Sequence, residues 1–276
     1  MATYDAMKFT ELTARVTEPI GCANCHEANT MRLVVTNPAL EEALAEQGLD
    51  WTKFTRQEMR TVVCANCHVE YYFQKDTNYL TFPWDNGTRI EGIMDYYAEV
   101  GHTDWTHADS GAPIIKMQHP DYELFSAGST HFNAGVACAD CHMPYTRDGA
   151  VKFSTHNVMS PLLRPSETCG ACHTDVDYVV ERVTEIQGQV WATMENCENA
   201  LVDAIAAIKT AAEDPNADTA LIDEARQLHR QSQARWDFIA AENSMGFHNP
   251  EEALRILAVA TDFARQAQIK AIEAVK

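Results

Sequence analysis

Four copies of the motif Cys-x-x-Cys-His lie along the chain, at 22–26, 64–68, 138–142 and 169–173. This spacing is typical of c-type haem attachment, because two thiols bond one porphyrin and the next residue places an imidazole beneath the iron. The motifs use eight of the nine cysteines. We therefore predict four haem c groups, attached through Cys22, Cys25, Cys64, Cys67, Cys138, Cys141, Cys169 and Cys172, with His26, His68, His142 and His173 as the proximal iron ligands.

Two other kinds of site use paired cysteines. Zinc binds Cys-x-x-Cys pairs in tetrahedral sites, but a zinc site of four cysteines does not require a histidine directly after each pair. Here that histidine follows all four pairs. A disulfide framework is weaker still, because this spacing is more typical of metal, redox or haem chemistry.

The ninth cysteine, Cys197, lies in a helical pattern rather than in a motif. Its apolar neighbours recur at alternating steps of four and three residues, which is the period of a coiled coil. A small thiol in such a row is expected to be buried between helices. The row consists of Val176, Val180, Val183, Gln187, Val190, Met194, Cys197, Leu201, Ala204 and Ile208.

Composition changes near residue 174 and predicts two regions in a mainly α fold with few short strands. Residues 1–174 hold the haem motifs and many prolines, which limit helix length. Residues 175–276 predict three long helices, over about 175–211, 217–242 and from Pro250 onward. Asn249, Pro250 and the two following glutamates form a helix-start signal. We expect the second region to serve as a scaffold and dimer interface.

The charge balance is strongly acidic, with 40 acidic against 21 basic residues and a net charge of −19. Such a chain is unsuited to nucleic acid, whose binding needs clustered lysine and arginine. Residues 1–20 lack the layout of a secretory signal. Haem is attached to these motifs outside the cytoplasm, so we expect a periplasmic location and a start that lies elsewhere or a signal already removed.

Seven histidines remain outside the motifs, and electron-transfer haems usually take a second strong axial ligand. Four haems would use four of them, but spacing does not say which. The seven are His102, His107, His119, His131, His156, His229 and His248.

Longer segments resemble the pentahaem cytochrome c nitrite reductases, which form ammonia. The family's third and fourth haem motifs resemble Cys64-Ala-Asn-Cys-His-Val-Glu-Tyr-Tyr-Phe73 and Gly135-Val-Ala-Cys-Ala-Asp-Cys-His-Met-Pro144. Its Lys-x-Gln-His-Pro segment resembles Lys116-Met-Gln-His-Pro120, and its C-terminal helices match Arg235-Trp-Asp237 and His248-Asn-Pro-Glu-Glu252. The segments occur in the same order, so the resemblance covers nearly the whole chain.

One feature departs from that family. Its catalytic haem sits on a Cys-x-x-Cys-Lys motif that precedes the segment matching 21–26, and this sequence contains no such motif. The sequence therefore resembles the C-terminal part of such an enzyme. A fifth haem, the distal ligand of the His68 haem and the family's active-site arginine are expected in the missing portion.

The resemblance implies a role for individual residues. Tyr71 and His119 match the distal-pocket residues that face nitrite. Glu70, Tyr71, Lys116 and Gln118 match a calcium site, in which Tyr71 and Lys116 would use backbone carbonyls; oxygen donors suit that cation. For distal iron ligands, His156 would serve the haem of His26, His248 that of His142, and His131 that of His173. His102, His107 and His229 are then expected to be structural or exposed.

The implied activity is the six-electron reduction of nitrite to ammonium, in a homodimer supplied by a membrane-associated or soluble cytochrome or quinol donor. The chain alone is expected to be inactive, because it has two pocket groups and no catalytic haem. Two alternatives stay open: a tetrahaem electron carrier, and one subunit of a split nitrite reductase. Related activity on hydroxylamine or sulfite also fits this architecture.

Overall fold

The computed structural model describes residues 9–15 and 17–276. Its regular structure is mainly helical, which confirms the predicted fold class. The helices are α1 (Phe9–Thr13), α2 (Pro38–Glu46), α3 (Arg56–Val62), α4 (Ile90–Glu99), α5 (Asp121–Ser126), α6 (Thr130–Asn133), α7 (Cys138–His142), α8 (Pro165–Thr168), α9 (Val176–Glu213), α10 (Thr219–Ala241) and α11 (Pro250–Glu273).

The strands of the described residues form three separate antiparallel pairs. β1 (Tyr72–Phe73) pairs with β2 (Leu80–Thr81), β3 (Trp105–Thr106) with β4 (Pro113–Ile114), and β5 (Tyr145–Asp148) with β6 (Val151–Ser154). Each pair is a short hairpin on the helical framework. The hairpins shape the segments between the haem motifs and add no sheet core.

The three long helices begin at side-chain caps, as the sequence predicts for the last of them. Asp175 accepts a hydrogen bond from the Tyr178 amide at 3.0 Å, and Asp218 accepts one from the Ala220 amide at 2.9 Å. Asn249 caps α11 by accepting from the Glu252 amide at 3.4 Å. These bonds satisfy amides that a helix start otherwise leaves unpaired.

The apolar row of α9 packs inside the chain, against α10 and α11. Cys197 is fully buried and packs in one cluster with Ala200, Leu201, Ala260 and Ala264, which confirms the expected place of the ninth thiol. α11 contributes alanines to this contact at every third or fourth position, so the helices can approach closely. Because the row is used within the chain, a dimer would have to use another face of α9.

The largest apolar core joins the two regions on either side of residue 174. It holds Tyr97 and Ile93 of α4 together with Val190 of α9 and Phe238 of α10. A second core lies under the first two motifs and includes Leu40, Leu44 and Trp84.

The predicted absence of a signal concerns residues 1–20, part of which lies outside the described residues. Among the helices that are described, none combines the length and apolarity needed to span a bilayer.

Candidate functional site

Each Cys-x-x-Cys-His motif folds into one tight helical turn. The His26 amide donates to the Cys22 carbonyl at 2.8 Å, and the amides of His68 and His173 make the same bond to the first cysteine of their motifs, at 2.9 and 2.8 Å. The third motif is α7 itself. One turn carries the two thiols and the imidazole, so all three can reach a single porphyrin.

The second and third motifs are held side by side. Arg60 of α3 is buried and donates to Asp140 of α7 at 2.7 Å, and Gln57 also donates to Asp140. The Cys64 and Cys138 thiols interact with each other, and this interaction lowers the pKa of the Cys64 thiol. Two attachment sites therefore lie directly next to each other.

Neighbouring thiols also show which of the other motifs lie close together. Burial raises the pKa of the Cys25 thiol, and the nearby Cys64 and Cys67 thiols raise it further. Burial raises the pKa of Cys141 to about 11, with a further contribution from Cys169. The four motifs thus follow one another in space in the order in which they follow one another in the sequence.

Three pairs of imidazoles face each other across nearly equal gaps. The ring centroids of His26 and His156 are 6.1 Å apart. Those of His131 and His173, and those of His142 and His248, are 6.3 Å apart. These are the three pairs that the resemblance implies.

That gap suits an iron bound between two imidazoles. A metal–nitrogen bond of about 2 Å on each side, plus roughly 1 Å from each nitrogen to its ring centre, separates the centroids by about 6 Å. The three gaps agree with this spacing. The residues present therefore fit bis-histidine haem.

The surface around the motifs is unusually apolar for an acidic chain. Large apolar side chains stand exposed beside the motifs, where a porphyrin would cover them. They include Ile20, Met31, Phe132, Val158 and Leu163, which are 83%, 56%, 39%, 66% and 72% exposed. This is a second observation that fits the haem.

The other nitrogen of several imidazoles is held by the protein, as is usual for metal-bound histidine. His26 Nδ1 lies 2.8 Å from the Met31 carbonyl oxygen, and His142 Nδ1 lies 3.0 Å from that of Met159. His68 Nδ1 lies 3.1 Å from the Asp121 carboxylate. The fixed Nδ1 leaves Nε2 of each ring as the nitrogen for the iron.

His248 has two carboxylates on its Nδ1. Glu242 lies 3.1 Å and Asp121 lies 3.4 Å from that nitrogen. Burial alone would raise the pKa of Asp121, but hydrogen bonds from His248 and His68 outweigh burial and hold that pKa well below its usual range. Sequence reasoning missed Asp121 and Glu242, because nothing local marks a carboxylate as the partner of a distant imidazole.

The predicted calcium residues lie on two adjacent segments. The Gln118 amide donates to the Glu70 carboxylate at 2.6 Å, and the Gln118 side-chain amide donates to the Lys116 carbonyl at 3.3 Å. The His119 amide donates to the Val69 carbonyl at 3.2 Å. These bonds join 69–71 to 116–119, as one shared cation would require.

Glu70 is the buried centre of this arrangement. Its side chain has no exposed surface and accepts a hydrogen bond from the Tyr97 hydroxyl at 2.7 Å. Burial raises the pKa of Glu70 to about 8, against the opposing hydrogen bonds from Gln118 and Tyr97. A carboxylate whose charged form is disfavoured by burial is the group that a calcium ion would stabilise.

Asp237 of α10 fixes the second segment. Its carboxylate accepts from the Met117 amide at 2.8 Å and from the Lys116 ammonium at 3.0 Å. Asp104 accepts from the Lys116 amide at 2.7 Å. The Lys116 carbonyl, the atom predicted to bind calcium, thus belongs to a peptide segment held from two sides.

His119 and Tyr71 flank the joined segments. His119 is exposed, and its ring centroid lies 6.4 Å from that of His68. Their segments are hydrogen bonded, with the Tyr122 amide donating to the His68 carbonyl at 3.1 Å. A porphyrin between two rings would keep their backbones far apart, so His68 and His119 are not placed as a pair on one iron. Tyr71 packs edge-on against Phe73.

The three remaining histidines have protein partners. His229 is buried and bonds Ser110 at 3.0 Å, and His107 packs edge-on against it. His102 packs against the Tyr97 ring and lies 3.6 Å from Asp104. These contacts are the structural roles predicted for them.

The cysteines form neither disulfides nor a thiolate cluster. All nine are free. Within the described part of the chain, the one group of three or more candidate metal-binding side chains is Asp121, Glu242 and His248, which contains no cysteine. The thiols are therefore not gathered as a four-cysteine zinc site would need.

Comparison with known proteins places this geometry in a family. The family model described as cytochrome c552 matches residues 1–276. The cytochrome c-552 of Parabacteroides distasonis is 45% identical over 95% of this chain and 53% of its own length. The cytochrome c nitrite reductase subunit NrfA of Nitratidesulfovibrio vulgaris is 40% identical over 93% of this chain and 53% of its own length.

A solved structure is similar to nearly the whole chain. It is the catalytic subunit NrfA of the cytochrome c nitrite reductase from Desulfovibrio desulfuricans, for which two calcium sites are described. It matches with a TM-score of 0.88 and 41% identity, over 93% of this chain and 57% of its own length. The chain thus spans about half the length of the curated relatives it matches, and it belongs to the cytochrome c552 family.

Proposed function

We propose that this chain is the electron-supplying and distal-pocket portion of an ammonia-forming cytochrome c nitrite reductase. The observation that carries the proposal is the joining of 69–71 to 116–119 beside the second haem motif. This contact brings the predicted pocket residues and the predicted calcium residues to one place. A protein that only carries electrons has no need of such a pocket.

Haem c groups supply reversible one-electron transfer when they are bound. The chain would hold them through the eight motif cysteines, with His26, His68, His142 and His173 as proximal ligands and His131, His156 and His248 as distal ligands. The motifs follow one another in space, and reduction of nitrite to ammonium requires six electrons. An unbroken series of attachment sites suits that demand.

The pocket residues handle protons and negative charge. His119 would donate protons and hydrogen bonds to nitrite oxygens, and Tyr71 would assist from the adjacent segment. Glu70, Gln118 and the carbonyls of Tyr71 and Lys116 would bind calcium. The cation would hold Tyr71 and His119 in register and offset the charge of an acidic protein near an anionic substrate.

The whole protein would act as a periplasmic homodimer and take electrons from a membrane-associated or soluble cytochrome or quinol donor. The acidic surface favours a donor with a basic contact patch. The portion missing relative to the family would supply a fifth haem on Cys-x-x-Cys-Lys, either in the same polypeptide or on a neighbouring one. The tetrahaem carrier is the second candidate, and the retention of Tyr71, Gln118 and His119 argues against it.

The decisive experiment compares the chain with a chimaera. The chain is produced in a host that attaches haem c, alone and fused to the portion of the Parabacteroides distasonis relative that it does not match. Ammonium is then measured with nitrite and a reduced viologen. We expect formation by the chimaera and not by the chain alone. DNA sequence directly upstream of Met1 shows which arrangement is natural.

Variants test the pocket within the chimaera. We expect His119→Asn to lower kcat/KM by about 100- to 10,000-fold, the usual contribution of a proton donor. His107→Asn, outside the pocket, should leave the rate unchanged. Equal ammonium formation by chain and chimaera would contradict the proposal, as would a chimaera that reduces hydroxylamine or sulfite but not nitrite.

A further inference from the structure

The side chain of Asp121, the first residue of α5, contacts the imidazoles of two predicted iron ligands that belong to different haems. The residue is 7% exposed. One carboxylate oxygen lies 3.1 Å from Nδ1 of His68 and the other lies 3.4 Å from Nδ1 of His248. His68 belongs to the second motif, and the ring of His248 faces His142 of the third.

The remaining contacts of Asp121 fix it in place. The Asn243 amide donates to Oδ1 and the Asn243 side chain donates to Oδ2, each at 2.7 Å. The Asp121 amide donates to the His119 carbonyl at 2.7 Å. The carboxylate is therefore tied to the residue that follows α10, and the backbone of Asp121 is tied to the segment that carries His119. The carboxylate cannot turn toward solvent without breaking its bonds to Asn243.

The other imidazoles have a different kind of partner. His26 and His142 face main-chain carbonyl oxygens through Nδ1. A neutral carbonyl accepts the Nδ1 proton, but a carboxylate also draws that proton toward itself and makes Nε2 a stronger electron donor to a metal. A stronger donor favours ferric over ferrous iron and lowers the reduction potential. Two of the four predicted haems would receive this effect from the same residue.

We propose that Asp121 is a positioning residue shared by two haems, which orients His68 and His248 and sets the reduction potentials of both irons together. This inference rests on the haem ligation proposed above. One carboxylate that faces both imidazoles lowers both reduction potentials. The two potentials therefore stay close to each other, and neither haem holds electrons back on the way to the pocket. Glu242 acts on His248 alone.

The test is a redox titration of the haem-loaded chain, followed by its visible spectrum and by the EPR signals of all its ferric haems, including the His68 haem, whose distal ligand is expected outside this chain. We expect Asp121→Asn, which keeps the shape and removes the charge, to raise two of the four potentials and to change two EPR signals. The other two potentials should move much less. A shift confined to one haem, spread evenly over all four, or absent would overturn the proposal.

A second variant covers the case in which Asp121→Asn is poorly folded. Asn243→Ala removes the side-chain donor from Oδ2, the oxygen that faces His68, and leaves more negative charge for that imidazole. The potential of the His68 haem should then fall while that of the haem between His142 and His248 stays nearly constant. General loosening of the site would move both potentials. A rise, or an equal fall of both, would count against the proposal. Mass measurement shows whether all haems are attached. The titration does not require nitrite turnover, so a negative result for Asp121 can be told apart from a failure of the proposed activity.

Discussion

Glu70 is a single carboxylate whose ionisation should govern calcium binding. Burial raises its pKa to about 8, so below that pH a proton competes with the cation for the carboxylate. We expect the apparent calcium affinity to fall about tenfold for each pH unit below 8. Isothermal titration of the chelator-treated chain at pH 6, 7 and 8 measures this directly.

Two variants separate the site from the background. Glu70→Gln should lose both the strong calcium binding and its pH dependence, because the amide neither ionises nor provides a charged ligand. Glu181→Gln on the exposed side of α9 removes the same charge elsewhere and should change neither. Calcium affinity that does not vary with pH in the parent chain would contradict the assignment of Glu70.

The sequence predicts the functional residues of the motifs, but it does not predict the distant side chains that hold functional residues in place. The motif spacing predicts the thiols and proximal imidazoles, because all lie within one helical turn. Tyr97, Asp237 and Asp121 act on residues 27 to 127 positions away in the chain. Such contacts depend on how helices pack, which local spacing does not encode, and only family resemblance predicted the distal histidines.

His229 joins two elements, the β3–β4 hairpin and α10, and should make the fold sensitive to acid. Burial, together with the nearby His107, lowers its pKa to about 4 from the ordinary 6.5. The unfolded chain therefore binds a proton as pH falls from 6.5 toward 4 while the folded chain does not. The free energy of unfolding should fall over that range by about 3 kcal/mol from this residue.

Denaturant titrations of the parent and of His229→Asn between pH 4 and 7.5 test this. Asparagine can keep a hydrogen bond to Ser110 but does not titrate, so the stability of the variant should decline less as pH falls. The difference between the two free energies of unfolding at pH 7.5, where His229 is neutral in the folded and the unfolded chain, provides the reference. Parallel stability curves for the two proteins would show that His229 is not the acid-sensitive group.

The alanines of α11 should set the distance between the long helices. Ala264 is fully buried against Cys197 and Leu201 of α9. Enlarging it inserts three methyl-sized groups into a filled interface, which typically costs about 1–3 kcal/mol. We expect Ala264→Leu to lower the free energy of unfolding by that amount in denaturant titration.

Ala258 provides the matched control, because it lies on the exposed side of the same helix. Ala258→Leu should change stability by less than about 0.5 kcal/mol. If both leucine variants were equally stable, the α9–α11 contact would be loose, and the alanine spacing would have no packing role.

Element boundaries were predictable where capping residues mark them, as at Asn249 and Pro250. The apolar row of α9 correctly predicted a buried helix seam, and its role inside the chain is evident only once α10 and α11 lie against it. The two-residue strands have no alternating pattern long enough to recognise. Their hairpins are fixed by contacts with the helices, such as that of His229 with Ser110.

On the scale of the whole molecule, charge and apolar surface act against each other. A net charge of −19 makes two copies of the chain repel. Yet Trp191 and Val202 stand 50% and 64% exposed on α9, eleven residues or about three turns apart and so on one face. Ile272 and Val275 of the C-terminal end line a groove between α9 and α11. This outer face is where we expect the proposed homodimer to form.

The dimer should therefore strengthen as salt rises, because screening weakens the repulsion while apolar contacts persist. Sedimentation of the haem-loaded chain at low and high salt should give a species of twice the mass of one chain, more abundant at high salt. Trp191→Glu combined with Val202→Asp should yield monomer at both salt concentrations. Val100→Asp, an equally exposed apolar position at the end of α4, should leave the dimer intact. A dimer that survives the double substitution would assign the interface to another face of the molecule.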